Sequence, residues 1–324
     1  MPARSKWQSL PTEAINPSTL GIDKVGADDI VELMLAEDRK MLAAVQRERE
    51  RIAVGIEMIT TALRKGGRVI FVGAGTSGRL GLLESAEMPP TFSTEPALVQ
   101  AIMAGGRNAI FNAKEGVEDN YEEGARAINR LQPTRRDVVI GVSASGMTQF
   151  VRGALTRARR TGSRVIFVTC DPATELQTFV DLTIAPSVGA EVIAGSTRLK
   201  AGTATKLVLN MLTTGAMVRI GKTYGNLMVD VQTGSDKRKD RARRIVNIVT
   251  GLEYDEVDKL LKRAHGNVKA AIVMQKTGLT YVKALSRLRK SHQSMREAIG
   301  EDIEPRLRGM LQGAAEAATH RQQP

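Results

Sequence analysis

The sequence predicts an α/β protein with a doubly wound parallel sheet, preceded by a helical segment and followed by a small helical bundle. Five short apolar runs alternate with helical patterns in the middle of the chain, as expected for strands buried on both faces. These runs cover residues 69–72, 97–103, 137–142, 165–169 and 180–184. Several are followed by turns rich in glycine, serine and threonine. Strand–turn–helix units of this kind bind ligands beyond the carboxyl ends of their strands.

Helical patterns flank the predicted sheet. Apolar residues recur at helical spacing over residues 30–42 and 52–63, and a largely apolar helix is predicted over 202–220. Three shorter helical patterns lie between residues 257 and 288, and little pattern follows residue 301. The predicted division is a helical segment at 1–54, the α/β domain at 55–220, a connecting segment at 221–243, the helical bundle at 244–300 and a tail at 301–324.

Composition excludes several classes of protein. The single cysteine, Cys170, excludes an internal disulfide and a multi-cysteine metal cage, and it favours a reducing compartment. No apolar run approaches the roughly 18–20 residues that span a bilayer. Residues 1–8 are polar and lack the apolar core of a signal peptide. We therefore expect a cytoplasmic protein without a membrane partner.

The chain is basic, with a formal net charge of +12. A basic C-terminal part can bind nucleic acid or simply present solvated helical faces. We favour solvated faces, because the charges are interleaved with apolar residues at helical spacing and aromatic residues make up only 3% of the chain. We expect no nucleic-acid partner, and a basic protein also suits a small anionic substrate.

Two glycine- and hydroxyl-rich loops follow predicted strands. Gly73, Gly75 and Gly78 form the G-x-G-x-x-G pattern of dinucleotide sites, but the acidic residue expected about 20 positions later is missing. Free amides and short hydroxyls at such loops suit either ordinary helix capping or a phosphate group. Because two such loops end strands of one sheet, we favour phosphate binding. The candidate phosphate-binding residues are Thr76, Ser77, Ser143, Ser145, Gly146 and Thr148.

Candidate catalytic groups in the α/β domain are carboxylates. The three histidines, His265, His292 and His320, all lie in the C-terminal part of the chain. Any proton transfer in the α/β domain therefore falls to acidic residues such as Glu87 and Glu118, although either could be a solvated helix carboxylate.

A second candidate region precedes the predicted helix at 202–220. Small residues and cations are dense over residues 189–206, and such a loop suits close approach of an anionic ligand. Its candidate binding residues are Glu191, Ser196, Lys200 and Lys206.

These stretches, together with Gly225-Asn226-Leu227-Met228-Val229-Asp230, resemble the N-acetylmuramic acid 6-phosphate etherase family over roughly residues 10–288. The resemblance implies a sugar-isomerase (SIS) domain, a small UBA-like C-terminal bundle and a homodimer with active sites near the subunit interface. It also implies removal of D-lactate from the sugar phosphate by elimination and water addition, without a metal or organic cofactor. Glu87 matches the family's proton donor, and Glu118 matches its second catalytic carboxylate, the base.

One departure from the family pattern bears on the substrate. The family commonly has Arg-Thr-Pro after the Ser-Ala-Ser-Gly run, whereas this chain has Met147-Thr148-Gln149. The loss of that arginine can alter contacts with the substrate. The alternative function is a non-catalytic sugar-phosphate sensor, as in the related glucokinase regulatory protein, and retention of both Glu87 and Glu118 favours the enzyme.

Overall fold

The computed structural model describes residues 10–231 and 235–320, with side chains of the last helix described up to residue 313. The polar start at residues 1–8 lies outside these ranges. The chain divides into two compact units, one made of residues up to 87 with 95–216, the other of 88–94 with 217 onwards. Across the described ranges, no helix has both the length and the apolar character to cross a membrane.

The first unit is the predicted α/β domain with its preceding helices. Its elements are, in chain order, α1 (Ala27–Arg47), α2 (Arg49–Arg64), β1 (Val69–Gly73), α3 (Gly75–Phe92), β2 (Val99–Met103), α4 (Asn108–Phe111), α5 (Tyr121–Arg130), β3 (Val138–Val142), α6 (Gln149–Arg160), β4 (Arg164–Val168), β5 (Leu182–Ile184) and α7 (Lys200–Arg219). The predicted strands and the predicted helix at 202–220 are therefore confirmed, with boundaries shifted by up to two residues.

All five strands are parallel and lie in the order β2-β1-β3-β4-β5. The side chains of β1 and β3 are fully buried, because helices cover both faces of the sheet. The chain passes from β1 outward to β2 and then returns to β3 on the other side of β1. This reversal creates a crevice at the carboxyl ends of β1 and β3, where Gly73 lies opposite Val142.

Helices α5 and α6 pack with their backbones in contact. A Cβ atom added to Gly124 would lie 1.9 Å from the carbonyl oxygen of Phe150. A Cβ atom added to Gly153 would lie 2.0 Å from the carbonyl oxygen of Tyr121. Only glycine fits at either position, and this contact helps to fix the start of α6, which follows the crevice directly.

The second unit is helical, as predicted. It contains α8 (Asp236–Thr250), α9 (Tyr254–Arg263), α10 (Val268–Thr277), α11 (Tyr281–Lys290), α12 (Met295–Ile299) and α13 (Glu304–His320). The buried side chains of α10 lie at its centre, and Ala242, Ile245 and Val246 of α8 belong to the same core. The basic residues 237–244 thus lie within α8, which begins before the predicted bundle. Helix α13 was not predicted, because residues such as Leu311, which is 72% exposed, form no strong apolar pattern.

Candidate functional site

The loop after β1 brings the start of α3 against the end of the strand. A Cβ atom added to Gly73 would lie 2.7 Å from the backbone nitrogen of Gly78, and one added to Gly78 would lie 2.9 Å from the carbonyl oxygen of Gly73. Gly75 has a φ of +53°, a conformation that other residues rarely adopt. Close packing accounts for Gly73 and Gly78, and the positive φ accounts for Gly75. The strand that follows, β2, has no acidic residue at its end, where a dinucleotide site would need one.

The loop after β3 places two hydroxyls in contact. Ser143 Oγ and Thr148 Oγ1 are 2.7 Å apart, and Gly146 turns the chain between them with a φ of +73°. Thr148 is the N-cap residue of α6, but its side chain makes no capping hydrogen bond. Capping therefore does not explain this hydroxyl, which faces Ser143 across the loop instead.

The two loops meet at a cavity of about 310 Å³ beyond the carboxyl ends of β1 and β3. Hydroxyl side chains from four segments of the chain line it, together with charged residues of α3 and of the segment after β2. The polar lining residues are Thr76, Ser77, Arg79, Lys114, Glu115, Glu118, Ser143, Ser145, Thr148, Thr197 and Thr205. The cavity thus combines hydroxyl donors, helix N-termini and carboxylates, an arrangement that suits a phosphorylated ligand with a reactive carbon nearby.

Glu118 lies within this lining, on a short helical turn formed by Val117–Asp119. Arg79 holds the preceding segment against α3, because its guanidinium donates to the carbonyl oxygens of Ala109 and Ile110 at 2.8 Å. Two further lining residues, Lys114 and Glu115, were not among the residues predicted from sequence. Their proximity to Glu118 in the chain is the signal that could have identified them.

Glu87 lies elsewhere on α3. It is exposed, and it is not among the residues that line the cavity. One turn earlier, Glu84 is 3% exposed and accepts hydrogen bonds from Thr213 and Asn210 of α7. Burial raises the pKa of Glu84, the Thr213 hydrogen bond and the charge of Lys206 oppose that rise, and the charge of Glu87 adds to it.

Glu191 and Lys200 organise the start of α7 from inside the protein. The carboxylate of Glu191 is fully buried and accepts from the backbone amides of Lys200 at 3.0 Å and Ala201 at 2.9 Å. Burial raises the pKa of Glu191, although those two hydrogen bonds and the Lys200 charge act in the opposite direction. Lys200 Nζ donates to Glu37 Oε2 of α1 at 2.6 Å. Glu191 and Lys200, both predicted to bind ligand, therefore bond to other protein groups and stabilise the loop from the protein interior.

The remaining residues predicted in this region lie nearer the surface. Ser196 is half-buried, and Lys206 is exposed with its ammonium bonded to Asn210 Oδ1. Neither lines the cavity, whereas their neighbours Thr197 and Thr205 do. Of the predicted region 189–206, the residues that line the cavity are Thr197, Gly202 and Thr205. Among the described residues, no group of three histidine, cysteine or acidic side chains could hold a metal ion.

Comparisons with known proteins match a SIS-domain profile to part of the chain and find relatives along most of it. The profile of the glucokinase regulatory protein N-terminal SIS domain matches residues 51–159. The chain is 48% identical over 291 residues to the N-acetylmuramic acid 6-phosphate etherase of Trichormus variabilis, covering 90% of this chain and 94% of the relative. It is 47% identical over 296 residues to that of Salinibacter ruber, covering 91% and 95%. With N-acetylmuramic acid 6-phosphate etherase 2 of Vibrio cholerae, it shares 43% identity over 295 residues, 91% of this chain and 96% of the relative. The predicted SIS-type α/β fold is confirmed by the parallel sheet and the profile match.

Proposed function

Because the chain belongs to the N-acetylmuramic acid 6-phosphate etherase family, we propose that it cleaves the D-lactyl ether of N-acetylmuramic acid 6-phosphate. The products are N-acetylglucosamine 6-phosphate and D-lactate, and the reaction takes place in the cytoplasm. The observation that carries this proposal is the cavity between β1 and β3, which places Glu118 together with the hydroxyls of both loops.

The hydroxyl groups of the two loops hold the 6-phosphate. Ser143 and Thr148 present adjacent oxygen atoms, and Thr76 and Ser77 lie in the first turn of α3, where the helix dipole favours an anion. Ser145 and Gly146 complete the second loop, and Gly146 allows the chain to turn tightly there. Glu191 and Lys200, with backbone hydrogen bonds of Ser196, keep the loop before α7 in the conformation that brings Thr197 to the cavity.

The carboxylates carry the chemistry in two stages. In the open-chain aldehyde, the hydrogen on C2 is acidic, and Glu118 removes it as a base. The C2–C3 double bond forms as the C3–O bond breaks, and Glu87 gives its proton to the departing lactate oxygen. Water then adds across the double bond, with its hydroxyl joining C3 and a proton returning to C2. No electrons are gained or lost, so the reaction needs no redox partner.

The position of Glu87 supports an active site that is built from two subunits. Glu87 follows Thr76 by eleven residues on α3, which corresponds to about 16 Å of helix rise. A single sugar phosphate held at Thr76 does not extend that far. We therefore assign each active site to a homodimer, in which Glu87 of one subunit faces the cavity that holds Glu118 of the other.

Incubation with N-acetylmuramic acid 6-phosphate in heavy-oxygen water tests the reaction. Elimination and addition place the label on C3 of the sugar and none in the lactate. Tight binding of the sugar phosphate without lactate release would instead indicate a sensor. Glu87→Gln is expected to slow lactate release and spare hydrogen exchange at C2, while Glu118→Gln suppresses that exchange. Equal exchange in both variants would contradict the assigned roles.

Mixing the two inactive variants tests the shared site. If each site takes one glutamate from each subunit, hybrid dimers of Glu87→Gln and Glu118→Gln contain one intact site, and an equal mixture recovers about a quarter of the wild-type activity. If both glutamates come from one subunit, the mixture stays inactive. Subunits must be exchanged under mild denaturation and refolding, with wild-type protein treated in the same way as the control.

A further inference from the structure

The carboxyl group of Glu84, which lies between α3 and α7, has no role in the reaction described above. Glu84 is buried, and both of its carboxylate oxygens accept hydrogen bonds. Oε2 accepts from Thr213 Oγ1 at 2.7 Å, and Oε1 accepts from Asn210 Nδ2. Asn210 Oδ1 accepts in turn from Lys206 Nζ. A buried carboxyl group is thus connected through one amide to an exposed ammonium.

Glu84 determines which way the Asn210 amide faces. Because an ionised carboxylate only accepts hydrogen bonds, the NH₂ group of Asn210 must face Glu84, and its oxygen is left for Lys206. If the amide turned over, its NH₂ group would face the ammonium and could not bind it. An exposed lysine side chain otherwise has large rotamer freedom. The hydrogen bond to Asn210 therefore favours one position of the Lys206 ammonium.

Glu87 also lies near the buried carboxyl group of Glu84. Glu84 and Glu87 are three residues apart on α3 and lie on the same face of the helix. The charges of Lys206 and Glu87 both act on the Glu84 carboxyl group.

The two helices run side by side in parallel. A Cβ atom added to Gly202 would lie 3.5 Å from Thr76 Cγ2, and eight residues further along each helix Glu84 contacts Asn210. The helices therefore stay in contact over about 12 Å, from their N-termini to the Glu84–Asn210 hydrogen bond. Through Asn210 and Glu84, the exposed ammonium of Lys206 is connected to the turn of α3 that precedes Glu87.

We infer that Lys206, held by Asn210 and Glu84, binds the carboxylate of the substrate's D-lactyl group. This inference rests on the proposed function, because that carboxylate is attached one carbon away from the ether oxygen that Glu87 protonates. The substrate carries two anionic groups, and the hydroxyl loops account only for the phosphate. Lys206 supplies the second anion site, and Glu84 and Asn210 act as positioning residues. The contact selects lactyl ethers over ethers without a carboxylate.

The test compares the substrate with an analogue in which a carboxamide replaces the lactyl carboxylate. The wild type is expected to prefer the acid. Lys206→Met is expected to lower kcat/KM for the acid about 10- to 100-fold, mainly by raising KM. The same variant should have little effect on kcat/KM for the amide. Lys206→Arg restores part of the preference because it restores the charge. Lys65→Met removes an exposed lysine at the end of α2 and serves as the control with unchanged kinetics.

Glu84→Met tests the positioning role with an unbranched side chain of about the same length. Its thioether is at most a weak acceptor and cannot replace the carboxylate beside Asn210, so the Asn210 amide loses its fixed orientation. The variant is expected to lose discrimination between acid and amide in the same direction as Lys206→Met. Retained discrimination in a folded Glu84→Met protein would overturn the positioning role. An equal loss for acid and amide in Lys206→Met would overturn the carboxylate site itself.

Hydrogen exchange at C2 of N-acetylglucosamine 6-phosphate separates this inference from the proposed function. That compound has no lactyl group, so Lys206→Met must leave its exchange rate in heavy water unchanged. A loss of exchange in Lys206→Met would place Lys206 at the sugar and contradict the inference. Absence of lactate release from the wild-type protein, in contrast, would reject the proposed function before any variant is compared.

Discussion

Lys200 Nζ lies 2.6 Å from Glu37 Oε2, and the two side chains are only 2% and 3% exposed. Glu37 also accepts a hydrogen bond from Lys40 on its own helix. The pair joins α1 to the first residue of α7, where Glu191 binds the backbone amides of Lys200 and Ala201. A buried ion pair therefore fixes the N-terminus of a helix that borders the cavity.

Removing one partner of this pair should be far more costly than removing both. Lys200→Met leaves the charge of Glu37 buried beside Lys40 alone and is expected to lower the free energy of unfolding by about 3–5 kcal/mol. The double variant Glu37→Leu with Lys200→Met should be more stable than either single variant. Urea unfolding followed by circular dichroism measures all three.

The exposed pair between Glu123 and Arg126 provides the matched control. Glu123→Gln should change the free energy of unfolding by less than about 1 kcal/mol, because water and salt screen exposed charges. If Lys200→Met were no more destabilising than Glu123→Gln, the ion pair would not be a determinant of stability.

The same pair predicts a specific dependence of stability on pH. Burial alone would raise the pKa of Glu37, but hydrogen bonds from Lys200, Lys40 and Asn16 and the charge of Lys200 lower it from 4.5 to about 2. Because the folded protein binds this proton more weakly than the unfolded chain, the stabilisation is complete above pH 4.5 and is lost as the pH falls towards 2. The difference in unfolding free energy between wild type and Glu37→Gln should shrink over that interval. A difference independent of pH would contradict the assignment.

The sheet and the meeting of its loops were predictable because both follow from local patterns. Strands buried on both faces are apolar throughout, and parallel strands place their carboxyl ends at one edge, so the loops at Thr76 and Ser143 had to lie close together. The contacts of Glu84 and of Lys200 could not be predicted. Their partners are 126 and 163 residues away in the chain, and no local pattern records such a pairing.

Gly124 and Gly153 should not tolerate even a methyl group. Alanine at either position would place a Cβ atom about 2 Å from a carbonyl oxygen of the facing helix. The backbones of α5 and α6 would have to separate, which we expect to lower the free energy of unfolding by about 1–3 kcal/mol or more. Gly309→Ala, in the open interior of α13, is the control and should be neutral or slightly stabilising. Thermal unfolding compares the three variants, and equal midpoints would show that the helices can move apart freely.

Ser143 and Thr148 should control affinity for the phosphate group. Ser143→Ala removes one of two hydroxyls that lie 2.7 Å apart, and it is expected to raise KM for the phosphorylated sugar about 10- to 100-fold. Competitive inhibition by inorganic phosphate should weaken in parallel. Thr156→Ala removes a hydroxyl that bonds only to a carbonyl within α6 and should leave both constants unchanged. Unaltered inhibition in Ser143→Ala would move the phosphate away from this loop.

Cys170 should report on opening of the first unit. Its side chain is fully buried, and burial together with the charge of Glu191 raises the pKa of the thiol to about 12. The thiolate is the reactive form of cysteine. An aromatic disulfide reagent, which releases a coloured thiolate when a protein thiol attacks it, should therefore react with the native protein at mildly alkaline pH only as fast as the unit opens. Glutathione in the same buffer, which reacts at once, serves as the control, and urea should expose one thiol per chain.

Lys200→Met should accelerate the reaction of the native protein, because it loosens the start of α7, where Cys170 lies against the carbonyl oxygen of Ala201. Immediate reaction of the native wild-type protein would show that the thiol is accessible and that this part of the core is open.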